Sequence, residues 1–290
     1  MKLFIAEKTQ KSLDKKILIL KLEDQNEAGI ASLTSWPHLG DTSLADLKLD
    51  LLSDQNHSLV QKSLYFAMKD LKQENLKNIT LPESHKLIQD EKYLATSPPF
   101  NKLKLKPKQN FEKLAETLNA LNFKANSLRL DFNNKLSFDE FYSFLKLCHS
   151  KTLEAFDFIE DPFAYEEKLW AQIKADFPNL SLALDHSIEF NQPCFDFYIW
   201  KPAKSFYPNI SCNIVPTHYM SDEIEWYCSL WEASEKKLLN NICGFGTEHL
   251  LNLDFKAGDM TVIKKHWNQN LDDFSWHLLS ENFQLTFKLP

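Results

Sequence analysis

The chain is expected to fold as an α/β protein, with a small N-terminal α+β unit followed by a parallel (β/α) barrel whose helices are reduced after the fifth and sixth strands. Three observations lead there. The texture changes near residue 80, strand-like and helix-like segments alternate from about residue 100, and several of those strands end on a charged residue just before a turn. A repeated strand-then-helix order is the pattern of parallel strands joined by crossover helices.

Taken in order, KKILILKLED and GIASLTSWP read as strands of a meander, and SLADLKLDLL and QKSLYFAMKDLKQ carry apolar residues at helical spacing. These make a unit over residues 1–85. Residues 86–290 are left for the barrel, with the C-terminal segment free to return to the first unit. In the barrel, NKLKLKP is followed by FEKLAETLNAL, SLRLDF by the helix opening at SFDEFYSFLKLC, and AFDFIEDP by AYEEKLWAQIKADF. Ser137 with Glu140 three residues on is a capping-box pattern. SLALDHS, FDFYIWKP and NISCNIVPTH are the next strands, and SDEIEWYCSLW reads as a helix with Ser221 as N-cap and acids in its first turn. The steps from Asp185 to Lys201 and from Lys201 to Val215 are too short for helical crossovers of a dozen or so residues. The strand faces there, with Tyr198 and Trp200, then need cover from another element or from a second copy in a homo-oligomer.

With 290 residues, 43% of them hydrophobic and 22 of them Phe, the chain can build a sizeable core. A net charge of −7, with basic residues scattered, gives no footprint for nucleic acid or an anionic membrane, so a small-molecule partner is expected. MKLFIAEKTQKSLDKK lacks the apolar stretch of a leader, and no apolar run approaches the roughly 18 residues that span a bilayer. A cytoplasmic location is expected. The five cysteines, Cys148, Cys194, Cys212, Cys228 and Cys243, contain no CxxC pair and read as free thiols.

The strand ends carry the chemistry. SLRLD ends on Asp131, AFDFIE on Glu160, SLALD on Asp185 and FDFYIWK on Lys201. In a parallel barrel those carboxyl ends converge on one mouth. Three convergent carboxylates repel unless a cation holds them, and all-oxygen ligation suits Mg2+, with Mn2+ as a substitute. Side chains alternate along a strand, so Lys102, Lys104 and Lys106 of NKLKLKP share one face. Lys102 and Lys104 then point into the mouth, Lys106 lies past the strand's end, and Lys201 comes from the far side. Taken singly, the lysine face also fits a solvated edge strand, Asp161 rather than Glu160 fits the inward carboxylate of FIEDP, and Lys201 fits a Pro turn with a snorkelling side chain.

As an ordered set, Lys-x-Lys, LRLDFN, FIEDP, ALDHS and IWKPAK resemble the barrel motifs of the enolase superfamily, and within it the o-succinylbenzoate synthases of menaquinone biosynthesis. GIASLTSWPHLGDTSLADL is similar to that family's Gly-containing strand, substrate-facing loop and following helix. LYFAMKDL is similar to its pre-barrel helix, and CGFGTEHLLNLD to its eighth-strand segment. The resemblance implies a capping domain on a (β/α)7β-type TIM barrel and a Mg2+-dependent lyase. Its substrate would be a carboxylate, 2-succinyl-6-hydroxy-2,4-cyclohexadiene-1-carboxylate, dehydrated through an enediolate. It implies Lys104 as general base and then acid, Lys201 as the opposite stabilising group, and Lys102, Thr217 and His218 at the substrate. Asp131, Glu160 and Asp185 are the implied metal ligands, with Asn133 and His186 behind them. His186 stands where the family has Glu. An N-acylamino acid racemase or dipeptide epimerase of the same superfamily is the alternative, and a catalytically silent barrel acting as a binding module is the alternative of another class.

Overall fold

The computed structural model describes residues 1–10, 14–25, 27–72, 79, 82–88, 103–107, 110–185, 193–219, 222–240, 242–245 and 274–287. The first unit is a four-stranded antiparallel sheet in the order β11-β1-β2-β3. Its strands are β1 (Lys2–Gln10), β2 (Lys15–Asp24), β3 (Glu27–Leu33) and β11 (His277–Ser280). The expected meander contained only β2 and β3. KLFIAEKTQ adds β1, and β11 pairs with its outer edge, Phe4 opposite Leu278. Helices α1 (Leu44–Leu52) and α2 (Ser58–Leu71) follow β3. Strand β3 meets α2 at Gly29, where an added Cβ would stand 2.0 Å from the Ala67 carbonyl oxygen and 2.3 Å from the Leu71 nitrogen. Only glycine lets the two backbones approach so closely. Next to it, the Ile30 amide donates to Asp70 Oδ2 at 2.9 Å.

The second unit is a curled parallel sheet of seven strands joined in sequence order: β4 (Lys86–Ile88), β5 (Leu103–Leu105), β6 (Leu128–Asp131), β7 (Phe156–Glu160), β8 (Leu182–Leu184), β9 (Phe197–Trp200) and β10 (Asn213–Pro216). The ring is completed by Cys243 and Gly244. They bridge to Ser84, just before β4, and to Thr217, just after β10, so one short segment touches both sheet edges. Helices α3 (Phe111–Asn119), α4 (Phe138–Leu147), α5 (Ser150–Ala155) and α6 (Glu167–Asp176) are the crossovers. The capping box of α4 is formed as its sequence indicates.

No helix stands between β8 and β9 or between β9 and β10 among the described residues. The apolar strand faces there are covered by the chain itself. Trp200 is fully buried, with its indole N–H on the Ser205 carbonyl at 3.0 Å and its ring edge-on to Tyr207. Tyr198 packs on Phe195, which meets Tyr165.

Helix α7 (Glu223–Glu235) follows β10 but shares the core of the first unit. Its N-cap is Asp222 rather than Ser221: the Asp222 carboxylate accepts from the Glu225 amide at 2.9 Å and from Ser32 of β3. Buried Lys62 of α2 pairs with Glu232, and Lys69 with Glu235. All five cysteines are free thiols. No helix among the described residues is long and apolar enough to cross a membrane.

Candidate active site at the carboxyl ends of the barrel strands

Alternation along the strands sorts the barrel into two inward layers. Phe158, Ala183, Ile199 and Val215 pack together as an apolar plug. Two residues further along each strand stand Glu160, Asp185, Lys201 and Thr217, and on β6 the same step leads from Arg129 to Asp131. The charged layer is therefore the period-two continuation of the plug. In a ring of seven strands and one closing segment, β5 and β9 lie on opposite sides. Lys104 and Lys201 thus face each other, with the strands bearing Asp131, Glu160 and Asp185 between them.

The Lys104 ammonium bridges two carboxylates, with Glu160 at 2.6 and 2.8 Å and Asp131 Oδ2 at 3.2 Å. Burial pulls the Lys104 pKa down, but Asp131, Glu160 and Asp185 outweigh it and hold the group above the usual lysine range. Burial and the neighbouring Asp131 push Glu160 up to about 8. Asp131 lies below the usual carboxylate range, because Lys104 and Lys106 overcome the effect of its burial. Lys201 pairs with Asp185, which outweighs burial and raises the lysine.

Several groups are placed in ways the strand pattern did not foresee. Lys106 lies past the end of β5, as expected, yet its Nζ reaches Asp131 Oδ2 at 3.0 Å. Asp161 is buried at a positive φ of 42°, and its Oδ1 accepts the Asp185 amide at 3.0 Å. Oxygens of Glu160, Asp161 and Asp185 lie within 4.8 Å of one another. Asn133 also has a positive φ, and its backbone N–H donates to Asp131 Oδ1 at 3.1 Å. The His218 side chain is fully buried against Glu225 of α7. Thr217 lines the cavity. Lys102 and His186 lie outside the described residues.

Lys104, Lys106, Asp131, Glu160, Asp185 and Lys201 surround a cavity of about 540 Å3 whose roof is Trp36, His38 and Leu39 from the first unit. Asp41 ties that roof to the barrel. It accepts the Trp36 amide at 2.9 Å, the Tyr219 hydroxyl, and the Lys204 ammonium at 3.1 Å.

The donors suit a hard divalent cation. They are all carboxylate oxygens, and Asp185 Oδ1 is buried with no hydrogen-bond partner among the described residues. Such an orphaned anionic oxygen is costly unless a cation or donor meets it.

No family model matches the chain. An o-succinylbenzoate synthase of Bdellovibrio bacteriovorus is 25% identical over 207 residues, which cover 65% of this chain and 62% of the relative's length. Among solved structures, the o-succinylbenzoate synthase of Thermosynechococcus elongatus BP-1, complexed with Mg in its active site, superposes with a TM-score of 0.70 at 14% identity. The alignment covers 93% of this chain and 100% of that one. The fold is that of the enolase superfamily. A dipeptide epimerase from Enterococcus faecalis V583 matches at a TM-score of 0.62 and 13% identity, over 83% of this chain and 88% of its own.

Proposed function

We propose that the chain is an enolase-superfamily o-succinylbenzoate synthase. It would remove water from 2-succinyl-6-hydroxy-2,4-cyclohexadiene-1-carboxylate to give o-succinylbenzoate, a step of menaquinone biosynthesis. The observation that carries this is Lys104 and Lys201 facing each other across three carboxylates in a roofed cavity, in a chain similar to a curated synthase.

Asp131, Glu160 and Asp185 would hold Mg2+. Asp161 is the geometric competitor for the third position, but its Oδ1 is already committed to the Asp185 amide. Asp131 is instead held by lysine ammonium groups that a cation would replace. Asp161 is therefore read as orienting Asp185. When bound, the cation supplies charge neutralisation for the substrate carboxylate and acidifies the adjacent C–H.

Lys104 takes the proton from the carbon bearing the carboxylate. It is free to do so once Asp131 and Glu160 no longer hold it protonated. The charge that passes to the carboxylate oxygens is met by the Lys201 ammonium from the far side. Lys104 then returns its proton to the departing hydroxide, which leaves as water, and the ring becomes aromatic. The Asp41-held roof excludes solvent and contributes Trp36 as an apolar wall.

Two opposed lysines also fit the proton exchange of a racemase or epimerase. The synthase reading is favoured by the similarity to an o-succinylbenzoate synthase over 65% of this chain. The test is purified protein with Mg2+ and the cyclohexadiene acid, followed by appearance of o-succinylbenzoate. Absence of turnover together with epimerisation of L-Ala-L-Glu would replace this reading with the second.

A further inference from the structure

Arg129 is buried in the barrel beneath Asp131. Its Nε donates to Asp157 Oδ2 at 2.8 Å and one terminal nitrogen to the Ile242 carbonyl at 3.1 Å. The other lies 2.9 Å from Nδ1 of His85. A guanidinium has only donors to offer, so His85 Nδ1 must be the acceptor. The ring is then neutral, with its one proton on Nε2. His85 precedes β4 and lines the cavity, and Nε2–H is the polar group it has left to offer.

Two neighbours indicate what that donor is for. Gly244 leaves open the space between His85 and Thr217. A Cβ there would come 3.1 Å from His85 Cε1 and 2.4 Å from Thr217 Cγ2. The Thr217 hydroxyl, on a residue only 6% exposed and also lining the cavity, has no hydrogen-bond partner among the described residues. A fixed N–H and an unpaired buried hydroxyl on either side of a glycine make a niche for an acceptor oxygen.

We infer that His85 is a substrate-binding residue: its Nε2–H, oriented by Arg129, donates to a carboxylate or ketone oxygen of the substrate at the cavity floor. Arg129 is a positioning residue, which sets the tautomer without touching the ligand. The inference deepens the synthase reading, on which its choice of ligand rests.

The test is calorimetric binding of o-succinylbenzoate and, separately, L-Ala-L-Glu to the Mg2+-supplemented full chain. For whichever ligand the wild type binds, His85→Ala is expected to weaken affinity about tenfold, the loss of one buried hydrogen bond to the ligand. His85→Gln, which can place an amide N–H near the position of Nε2, is expected to recover most of it. Both variants should melt within a few degrees of wild type. If the Ala penalty persists with 2-butyrylbenzoate, which lacks the terminal carboxylate, the recognised oxygen is the ketone or ring carboxylate; if it vanishes, it is the terminal carboxylate. Nitrogen-15 spectra should show His85 protonated at Nε2 before ligand is added, with that resonance moving on addition. A ring protonated at Nδ1, or an Ala variant with wild-type affinity, overturns the role of His85 and leaves the synthase reading standing. A wild type that binds neither ligand overturns both.

Discussion

Lys104 is the residue where structure adds most to a reading of the strand pattern. A lysine on an inward face was expected to act as a base, yet the ammonium between Asp131 and Glu160 is also the counter-ion of the carboxylate cluster. Lys104→Ala should therefore have two effects. Turnover should fall by about 100 to 10,000-fold, the range for a lost general base. The melting temperature should fall in chelator-treated protein and recover with Mg2+, because a cation replaces the missing charge. A melting temperature indifferent to both substitution and metal would show that Lys104 does not balance these acids. Asp131→Asn should weaken Mg2+ binding in calorimetry more than Asp161→Asn; the reverse order would move the third ligand to Asp161. Lys15 offers a prediction in pH. Its ammonium lies 3.3 Å from the Trp36 ring centroid, with Nζ buried and no hydrogen-bond partner among the described residues. Burial lowers its pKa from 10.5 to about 7, against the pull of Glu225, Asp41 and Asp222. Between those values the unfolded chain binds the extra proton, so raising the pH from 7 toward 10 should add stability from this group. Thermal melts of Lys15→Met should lose that upward slope and exceed wild type below pH 7.

At the scale of elements, the joints between the two units decide what can change. Gly29→Ala would drive a methyl group into backbone atoms of α2, which cannot rotate away as a side-chain tip can. Urea unfolding should show a loss of at least about 1–3 kcal/mol, the usual cost of overpacking. Helix α7 is tied to α2 by Lys62 and Glu232, whose side chains are 0% and 3% exposed. Lys62→Met alone should cost about 3–5 kcal/mol by stranding a buried carboxylate, and adding Glu232→Leu should recover much of that. If the double variant is as unstable as the single, the pair contributes attraction beyond mutual neutralisation.

At the scale of the whole molecule, the active site is a property of the closed ring. Cys243 and Gly244 join the first and last strands, which brings His85 beside Thr217 and sets Lys104 opposite Lys201. The first unit roofs that ring through Asp41, and α7, which follows the last barrel strand, packs into the first unit's core. Removing Mg2+ should therefore lower the melting temperature of the molecule as a whole, since a cation bound only by the folded ring stabilises it by linkage and its proposed ligands stand on three adjacent staves. A melt unchanged by exhaustive chelation would argue against a bound divalent cation.

By itself the sequence determined what depends on local order. Strand–helix alternation specified the parallel barrel, period two put Lys104 on an inward face, and the strand ends put Asp131, Glu160, Asp185 and Lys201 at one mouth. The Ser137 capping box was legible because both of its members lie within one turn. Arg129 was within reach of the same rule, standing two residues before Asp131, but its role depends on His85, just before β4, and on Asp157 in β7. Tertiary structure alone decided that Lys106 turns back onto Asp131, that Asp161 supports Asp185, that His218 is committed to Glu225, and that α7 packs into the first unit. Except for His218 and Glu225, which are seven positions apart, each of these is a contact between residues far apart in the chain. Periodicity states which face a side chain occupies; the partner it meets is set by the stagger and closure of the ring.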